Sequence, residues 1–583
     1  MEAFRSADPE PRPETDLARW AAETIRASFD AYLHAFRAVT RRARRRFEAC
    51  DWHGGQEDAL ERLSVWPDHV QAALVALGDG LGPRGADPAL WAAAKACFEA
   101  EVRDRLEVEL AETFYNSVSR RMLDTVGVLP GCEFVGGYPP APGHVDSRTY
   151  PRQATTEQLV RELLADQPFD VAWQDLEGDA RLAAAEIDAH LRSLEDEAPL
   201  ESVEVLRPIF FRNKGAYVVG RIRREGGDVP LVLSILNDAQ GLWLDAVLLT
   251  PTDASVVFSF TRSYFHVDAI PGEVVPFLTA LLPQKRTSEI YAAIGFNKHG
   301  KTLLYREIMH HLASTGERFL PARGDRGMVM VVFTLPSLDV VFKVIRDRFA
   351  FPKSTSRAEV MQKYQLVFRH DRAGRLVDAQ EFEHLAFARD QFAPELLAEL
   401  ESDAGAAVEA HGERLVVQHL YAERRVEPLN LFIRGHDEWT ARQAVLDYGQ
   451  SIKDLAATNT FPGDLLLKNF GVTRSGRVVF YDYDELSLVT DCRFRELPRA
   501  RDDAEETAGE AWFYVAENDV FPEEFLRFLG LPERLRDAFV AQHGEVLTAS
   551  FWRAMQERHL AGRIADIFPY RESQRLRQGK PPL

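Results

Sequence analysis

Cysteine is scarce in this chain. Four occur in 583 residues, Cys50, Cys97, Cys132 and Cys492, and no two form a CxxC pair. A disulfide scaffold and a structural zinc site are therefore excluded as organising devices, and a reducing compartment is expected. Long apolar runs are missing as well. MVMVVFTL, at 328–335, has the length of a strand; a bilayer span needs roughly 20 residues. The opening stretch, MEAFRSADPEPRPETD, has no apolar core of a secretory signal, so a cytoplasmic protein is expected. Positive charge is in deficit. Seventy Lys and Arg face 90 Asp and Glu, giving a net charge of −20 and a pI near 5.4. That balance argues against broad binding to a phosphate backbone. Internal repeats and low-complexity tracts are absent too. The chain's length and its 46% hydrophobic content call for two or three cores.

From about residue 16 to 126 the pattern is helical, with Ile25, Phe29, Tyr32 and Phe36 at steps of three and four. The RRARRR run at Arg41–Arg46 reads as a solvated helix face with acids nearby, or else as an anion patch. Residues 130–152, rich in Gly and Pro, read as an irregular connection, and helices resume over 156–196. The stretches IFFRNKGAYVVGRI, VPLVLSIL, GLWLDAVLLT and ASVVFSFTRSYFHVD are β-branched and aromatic, and they predict an antiparallel sheet over about 203–268. Helices at 275–283 and 301–315 follow. From about 317 the order is strand (GMVMVVFTLP), strand (VVFKVIRD), helix (SRAEVMQKYQLVFRHD), a helical stretch near 393–411, strands (RLVVQHLYAERRVEPLNLFI), helix (WTARQAVLDYGQSIKDLAATN), hairpin and helical tail. This is the order of a protein-kinase-like bilobal fold.

Phosphoryl transfer needs a phosphate cradle, a cation to orient the phosphates, metal ligands and a group to take a proton. Each has a candidate. In ARGDRGM, Ala322, Arg323, Gly324, Asp325, Arg326, Gly327 and Met328, the two glycines let the backbone approach phosphate oxygens closely. Lys343 lies on an apolar strand, and a buried ammonium demands an anion: phosphate, and the carboxylate of Glu359 or Glu381 as equal candidates. In FPGDLLLKNFGVTRSGRVVFYDYDE, Asp464 and Asn469 have the Asp-x4-Asn spacing of a kinase catalytic loop, with Lys468 between, and Asp482 follows a short hairpin. Asp464 would take the substrate hydroxyl's proton, Lys468 would steady charge, and Asn469 and Asp482 would hold magnesium through oxygen. Two features depart from the kinase pattern. Pro462-Gly463 replaces the usual His-Arg, and Asp482-Tyr483-Asp484 replaces Asp-Phe-Gly. The additional acid, Asp484, either positions a water for hydrolysis or caps a turn.

The same segments, together with LYAERRVEPLN, FYNSVSRRM, FRNKGAYVVG and FTRSYFHVD, resemble the isocitrate dehydrogenase kinase/phosphatase family over essentially the whole chain. The resemblance implies an α+β protein: a mainly helical regulatory domain at 1–316 (helical 16–200, β-rich 203–268) and a kinase-like bilobal domain at 317–583. It implies a bifunctional enzyme that phosphorylates a serine of isocitrate dehydrogenase with ATP and removes that phosphate, switching flux between the citric acid cycle and the glyoxylate bypass. Magnesium (or manganese) is the implied metal and AMP the implied effector. A homodimer is left open. ATP is expected at 322–328 and Lys343. The resemblance also marks Asp378 as catalytic, where the residues alone suggest a surface acid after a helix. Two other readings stand beside it. A small-molecule phosphotransferase similar to aminoglycoside kinases has no need of the large helical half. A non-catalytic kinase-like scaffold has no need of Lys343, Asp464, Asn469 and Asp482 together.

Overall fold

The computed structural model describes residues 14–136, 145–196, 198–259, 264–351, 353, 355–370, 372–498 and 513–577. The chain opens with four helices, α1 (Glu14–Glu48), α2 (Trp52–Leu81), α3 (Pro88–Val102) and α4 (Val108–Met122). Ile25, Phe29, Tyr32 and Phe36 lie on one stripe of α1 and are all buried, as their spacing predicts. Tyr32 and Phe114 both pack edge-on against Trp66, which locks α1, α2 and α4 together. The basic run is a paired face. Arg41, Arg42, Arg44 and Arg46 meet Asp268, Glu61, Glu48 and Asp58 respectively.

An antiparallel sheet follows: β1 (Ser147–Pro151), then α5 (Thr156–Ala165) and α6 (Leu176–Ser193), then β2 (Ser202–Leu206), β3 (Phe210–Arg212), β4 (Gly215–Arg223), β5 (Val229–Asp238) and β6 (Gly241–Leu248). Its order is β1-β2-β4-β5-β6, with β3 on β4. Both faces are apolar because both are covered. Tyr217, Val219 and Val232 face the core of the first helices. Ala216, Val218, Leu231 and Leu233 face α5 and α6.

The sheet differs from expectation at both ends. Ser147–Pro151 is a strand where an irregular connection was predicted. Pro251–Val257 is helix α7 where ASVVFS predicted a strand. Thr250 caps that helix by accepting from the Asp253 N–H, with Pro251 in its first turn, and this local start signal overrides β-branched propensity. Residues 260–263 of the same segment lie outside the described residues. Helices α8 (Pro271–Leu281), α9 (Thr287–Ala293) and α10 (Asn297–Thr315) complete this half.

The second sheet contains β7 (Leu320–Pro321), β8 (Met330–Leu335), β9 (Val340–Ile345), β10 (Ala379–Ala388), β11 (Val408–His411) and β12 (Arg414–Arg424), with α11 (Arg357–His370) and α12 (Pro394–Asp403) between strands. Its order is β10-β12-β9-β8-β7, with β11 on β12 and every pair antiparallel. β10 was not predicted as a strand, and β11 closes a segment read as helical. Glu381, Glu383 and Arg414 interrupt the apolar pattern there, and pairing with β12 decides the outcome. One face of this sheet, Val331, Phe333, Phe342 and Val344, shares a core with Leu396 and Leu400 of α12 and with Leu304, Ile308 and Leu312 of α10.

The third part is largely helical: α13 (Leu429–Gly435), α14 (Glu438–Ala457), and helices at Glu533–His543 and Ala549–Leu560. LNLFI, predicted as strand, forms α13, because Leu429 is drawn into the core beneath Tyr448, Phe470 and Trp552. The hairpin β13 (Phe470–Val472) and β14 (Val478–Phe480) stands above α14. Arg375 braces it, donating to Asp447 and Asp454 on α14 and to the Val478 carbonyl.

After its last long helix the chain returns to the first sheet. Tyr570 donates to Asp245 at 2.7 Å, and Arg575 donates to the same carboxylate at 2.9 and 3.1 Å. Leu576 N–H donates to the Asp245 carbonyl. Asp245 is fully buried. Removing one partner of such an ion pair leaves an uncompensated charge. Asp245→Ala is therefore expected to cost about 3 kcal/mol of stability, read as a lowered denaturation midpoint of the full chain.

Candidate active site

Alternation on β9 decides where Lys343 points. Phe342 and Val344 enter the core shared with α10 and α12, so Lys343 faces the other side, toward α11 and the hairpin. Its ammonium lies 2.8 Å from Glu423 of β12, with the side chains 8% and 3% exposed, and donates at 2.7 Å to the Tyr481 carbonyl. This corrects both predicted partners. Glu359 accepts from Ser356 N–H and caps its own helix, and Glu381 accepts from His419 at 2.7 Å. Lys343 is in register with Tyr421, so Glu423, two residues on, lies on the same face of the neighbouring strand. Burial pushes the Glu423 carboxyl up, and the Lys343 charge and the Tyr364 hydroxyl oppose the rise.

The loop between α14 and the hairpin carries Asp464, Lys468 and Asn469. Tyr448 of α14 donates to the Leu465 carbonyl at 2.5 Å, and Tyr481 donates through its hydroxyl to the Lys468 carbonyl. Asn469 is buried, and its amide donates to the Asp464 carbonyl at 3.4 Å. Asp464 is half-buried and accepts from the Leu466 N–H. Burial raises its pKa, against that N–H and the Lys353 and Lys468 charges. The Pro-Gly that replaces His-Arg has a steric reason. Gly463 has φ +78°, and a Cβ there would lie 2.5 Å from the Glu485 carbonyl.

Just beyond Tyr481, Asp484 lies close enough to Asp482 for its charge to act on the Asp482 carboxyl. Burial first, then the Asp484 charge, pushes Asp482 up to about 7. Lys353, from the segment between β9 and α11, lies 2.9 Å from Asp484 and also pairs with Glu485. Nothing in FPKSTS marked that lysine in advance.

The glycine loop at 322–328 closes the other side. Gly324 takes φ +122°, which only glycine adopts readily. Arg346 holds the loop by donating to the Gly327 carbonyl. The guanidinium of Arg326 is bound to Glu399 and Asp403, so what this residue offers a phosphate is its backbone. After burial, the charges of Asp482, Glu423 and Asp325 all raise the Tyr481 phenol. Asp378 is half-buried rather than a surface acid. Its carboxylate accepts from Gln380 at 2.9 Å, and Gln380 donates also to Asn297. It lines a cavity of about 100 Å³ with Lys285, Glu289, Arg424 and Arg477. Asp378 thus faces the N-terminal half, while the backbone beside it is tied to the hairpin through Tyr483 O–H to the Val377 carbonyl.

An antiparallel sheet bearing a paired lysine, a helix packed on it, and an Asp-x4-Asn loop joined by a hairpin to a second acid define a protein-kinase-like phosphotransferase domain. A family model described as isocitrate dehydrogenase kinase/phosphatase (AceK) kinase domain matches residues 317–572, and the corresponding regulatory domain matches 22–316. An isocitrate dehydrogenase kinase/phosphatase of Anaeromyxobacter sp. (strain Fw109-5) is 58% identical over 569 residues, covering 97% of this chain and 99% of that protein. One from Anaeromyxobacter dehalogenans (strain 2CP-C) is 55% identical over 579 residues, with the same coverage. A solved ROP18 kinase domain, in complex with AMP-PNP and sucrose, aligns at 12% identity over 44% of this chain and 92% of its own, with a TM-score of 0.20. The chain belongs to the isocitrate dehydrogenase kinase/phosphatase family. Among the described residues no helix is long and apolar enough to cross a membrane.

The steric reading of Gly463 is testable. Gly463→Ala should lower stability by about 1–3 kcal/mol, measured by denaturant unfolding, because the new Cβ meets main chain that cannot swing aside.

Proposed function

We propose that this chain transfers the γ-phosphoryl group of ATP to a serine of isocitrate dehydrogenase, and that the same site removes it, setting flux between the citric acid cycle and the glyoxylate bypass. The observation that carries this reading is the convergence of Lys343, paired with Glu423, on the Tyr481 carbonyl, one residue before Asp482. The domain line is proposed at 316/317, with regulation in the first part and catalysis in the second. The cytoplasm is the proposed location.

Residues 322–328 would cradle the phosphates with backbone N–H groups, and Lys343 would pair with phosphate oxygens. Asp464 would accept the serine proton as Oγ bonds to phosphorus and the bond to the ADP oxygen breaks. Its raised pKa suits a base that must hold that proton. Lys468 would offset charge on the transferred group. In the reverse task, Asp484 would orient a water toward phosphorus. Asp378 is proposed as catalytic on the family resemblance, from its place beside the hairpin.

Magnesium, or manganese, fits the donor set. Asn469 and Asp482 offer oxygen ligands of the kind a hard dication takes. The Asp484 charge raises the cost of ionising Asp482, and a cation held there would offset it. When bound, the ion would neutralise charge on the phosphates. AMP is proposed as an effector. A cavity of about 360 Å³ between the first helices and the kinase-like part, lined by Arg369, Arg372 and Arg563 together with Asp51 and Asp58, has the size for a nucleotide.

The deciding experiment incubates the protein with radiolabelled ATP, magnesium and isocitrate dehydrogenase. Label should enter the substrate as its activity falls, and label should leave when unlabelled nucleotide is supplied. A fully active, unlabelled substrate would defeat the proposal. Lys343→Ala and Asp482→Ala should abolish both reactions. Asp464→Asn should slow the kinase on the order of 10²–10⁴-fold, since proton acceptance and hydroxyl alignment are both lost. Asp484→Ala should depress phosphatase more than kinase, and equal losses would end its water-positioning role.

A further inference from the structure

The lysine–carboxylate pair of this lobe lies wholly within the sheet, Lys343 on β9 and Glu423 on β12. Helix α11 packs on that face, yet its acid near the start, Glu359, is exposed and spent on its own cap. What α11 presents to the pair is a phenol. Tyr364 is buried and donates at 3.1 Å to Oε1 of Glu423, while Lys343 holds Oε2 at 2.8 Å. The Tyr364 ring lies flat on Tyr421, centroids 3.7 Å apart and planes 9° from parallel, and meets Tyr483 edge-on at 5.1 Å. Tyr421 is the residue in register with Lys343, and Tyr483 sits between Asp482 and Asp484. The ring is thus fixed by the strand on one side and by the hairpin on the other.

We propose that Tyr364 is a positioning residue for nucleotide binding, through which α11 sets the Glu423 carboxylate and so the reach of Lys343. An ammonium has three donors. Glu423 and the Tyr481 carbonyl take two, and the third is directed by where those two hold the nitrogen. A carboxylate gripped at both oxygens has one orientation. Gripped only by Lys343, it can turn about its last torsion and carry the ammonium with it. Loss of the Tyr364 hydroxyl also leaves a buried carboxylate oxygen short of a donor, a cost larger than the bond's net value. The device differs from a helix carboxylate that pairs with the lysine directly. Here a shift of α11 weakens the grip on Glu423 without breaking the ion pair, so the helix tunes nucleotide affinity by degrees.

This inference rests on the proposed nucleotide site at Lys343, and the test separates the two. Equilibrium binding of magnesium-ATP and steady-state kinase kinetics are measured on the full chain for Tyr364→Phe, Glu423→Leu, the double variant and Lys343→Met. Tyr364→Phe keeps the stack on Tyr421, and it should bind magnesium-ATP about tenfold more weakly. KM for ATP should rise in step while kcat stays within about twofold, a split that a loosened core would not produce. Glu423→Leu, which removes the acceptor, should lose more, and adding Tyr364→Phe to it should cost nothing further, since the hydroxyl acts through that carboxylate. Wild-type affinity in Tyr364→Phe, multiplied losses in the double variant, or a greater loss from Tyr364→Phe than from Glu423→Leu would each overturn the positioning role. Wild-type binding by Lys343→Met would instead overturn the site itself.

Discussion

The arrangement turns on one buried ion pair. Lys343 and Glu423 are taken out of water together, and the pair is tolerable only because every neighbour contributes a bond: the Tyr481 carbonyl to the lysine, the Tyr364 hydroxyl to the glutamate. Those bonds run in different directions. One joins the sheet to the acidic hairpin and the other joins it to α11. A single desolvated contact therefore fixes the spacing between the lysine face of the sheet and the Asp482–Asp484 segment, which is the spacing a triphosphate would have to span.

The acidic half of the site is held from below. Tyr448 reaches up from α14 to the Leu465 carbonyl, Arg375 clamps α14 to the hairpin, and Gly463 lets the loop pass against Glu485. Asp464 and Asn469 sit on that loop, so their separation is set by backbone rather than by flexible side chains. Asp482 and Asp484 lie near each other in a partly dry place, with Lys353 shared between Asp484 and Glu485. It is here that the magnesium ion is proposed to bind.

Much of this was legible before any coordinates. Asp464, Asn469 and Asp482 lie in one short segment, so their spacing along the chain carries their proximity in space. The stripe of Ile25, Phe29, Tyr32 and Phe36 reports its helix for the same local reason. What was not legible depends on pairing between distant strands. Glu423 meets Lys343 through the register of β9 with β12, which no motif announces, and a helix acid was expected instead. Strand β10 and helix α13 were missed because neighbours, not propensity, decide them. Pro251–Val257 was misread because Thr250 and Pro251 signal a helix more strongly than the β-branched residues after them signal a strand. Asp378 was taken for a surface acid because the strand that follows it, and the half-chain it faces, were both out of view.

Helix α10 belongs by sequence to the first half, yet Leu304, Ile308 and Leu312 form one wall of the core under the second sheet. The seam in the chain near residue 316 is therefore no seam in the solid. A fragment cut there would bare an oily trough on the lobe that carries Lys343. In the intact molecule no slack tether separates the two halves. Any displacement of α10 is felt at once as pressure on the back of the strand whose front holds the lysine.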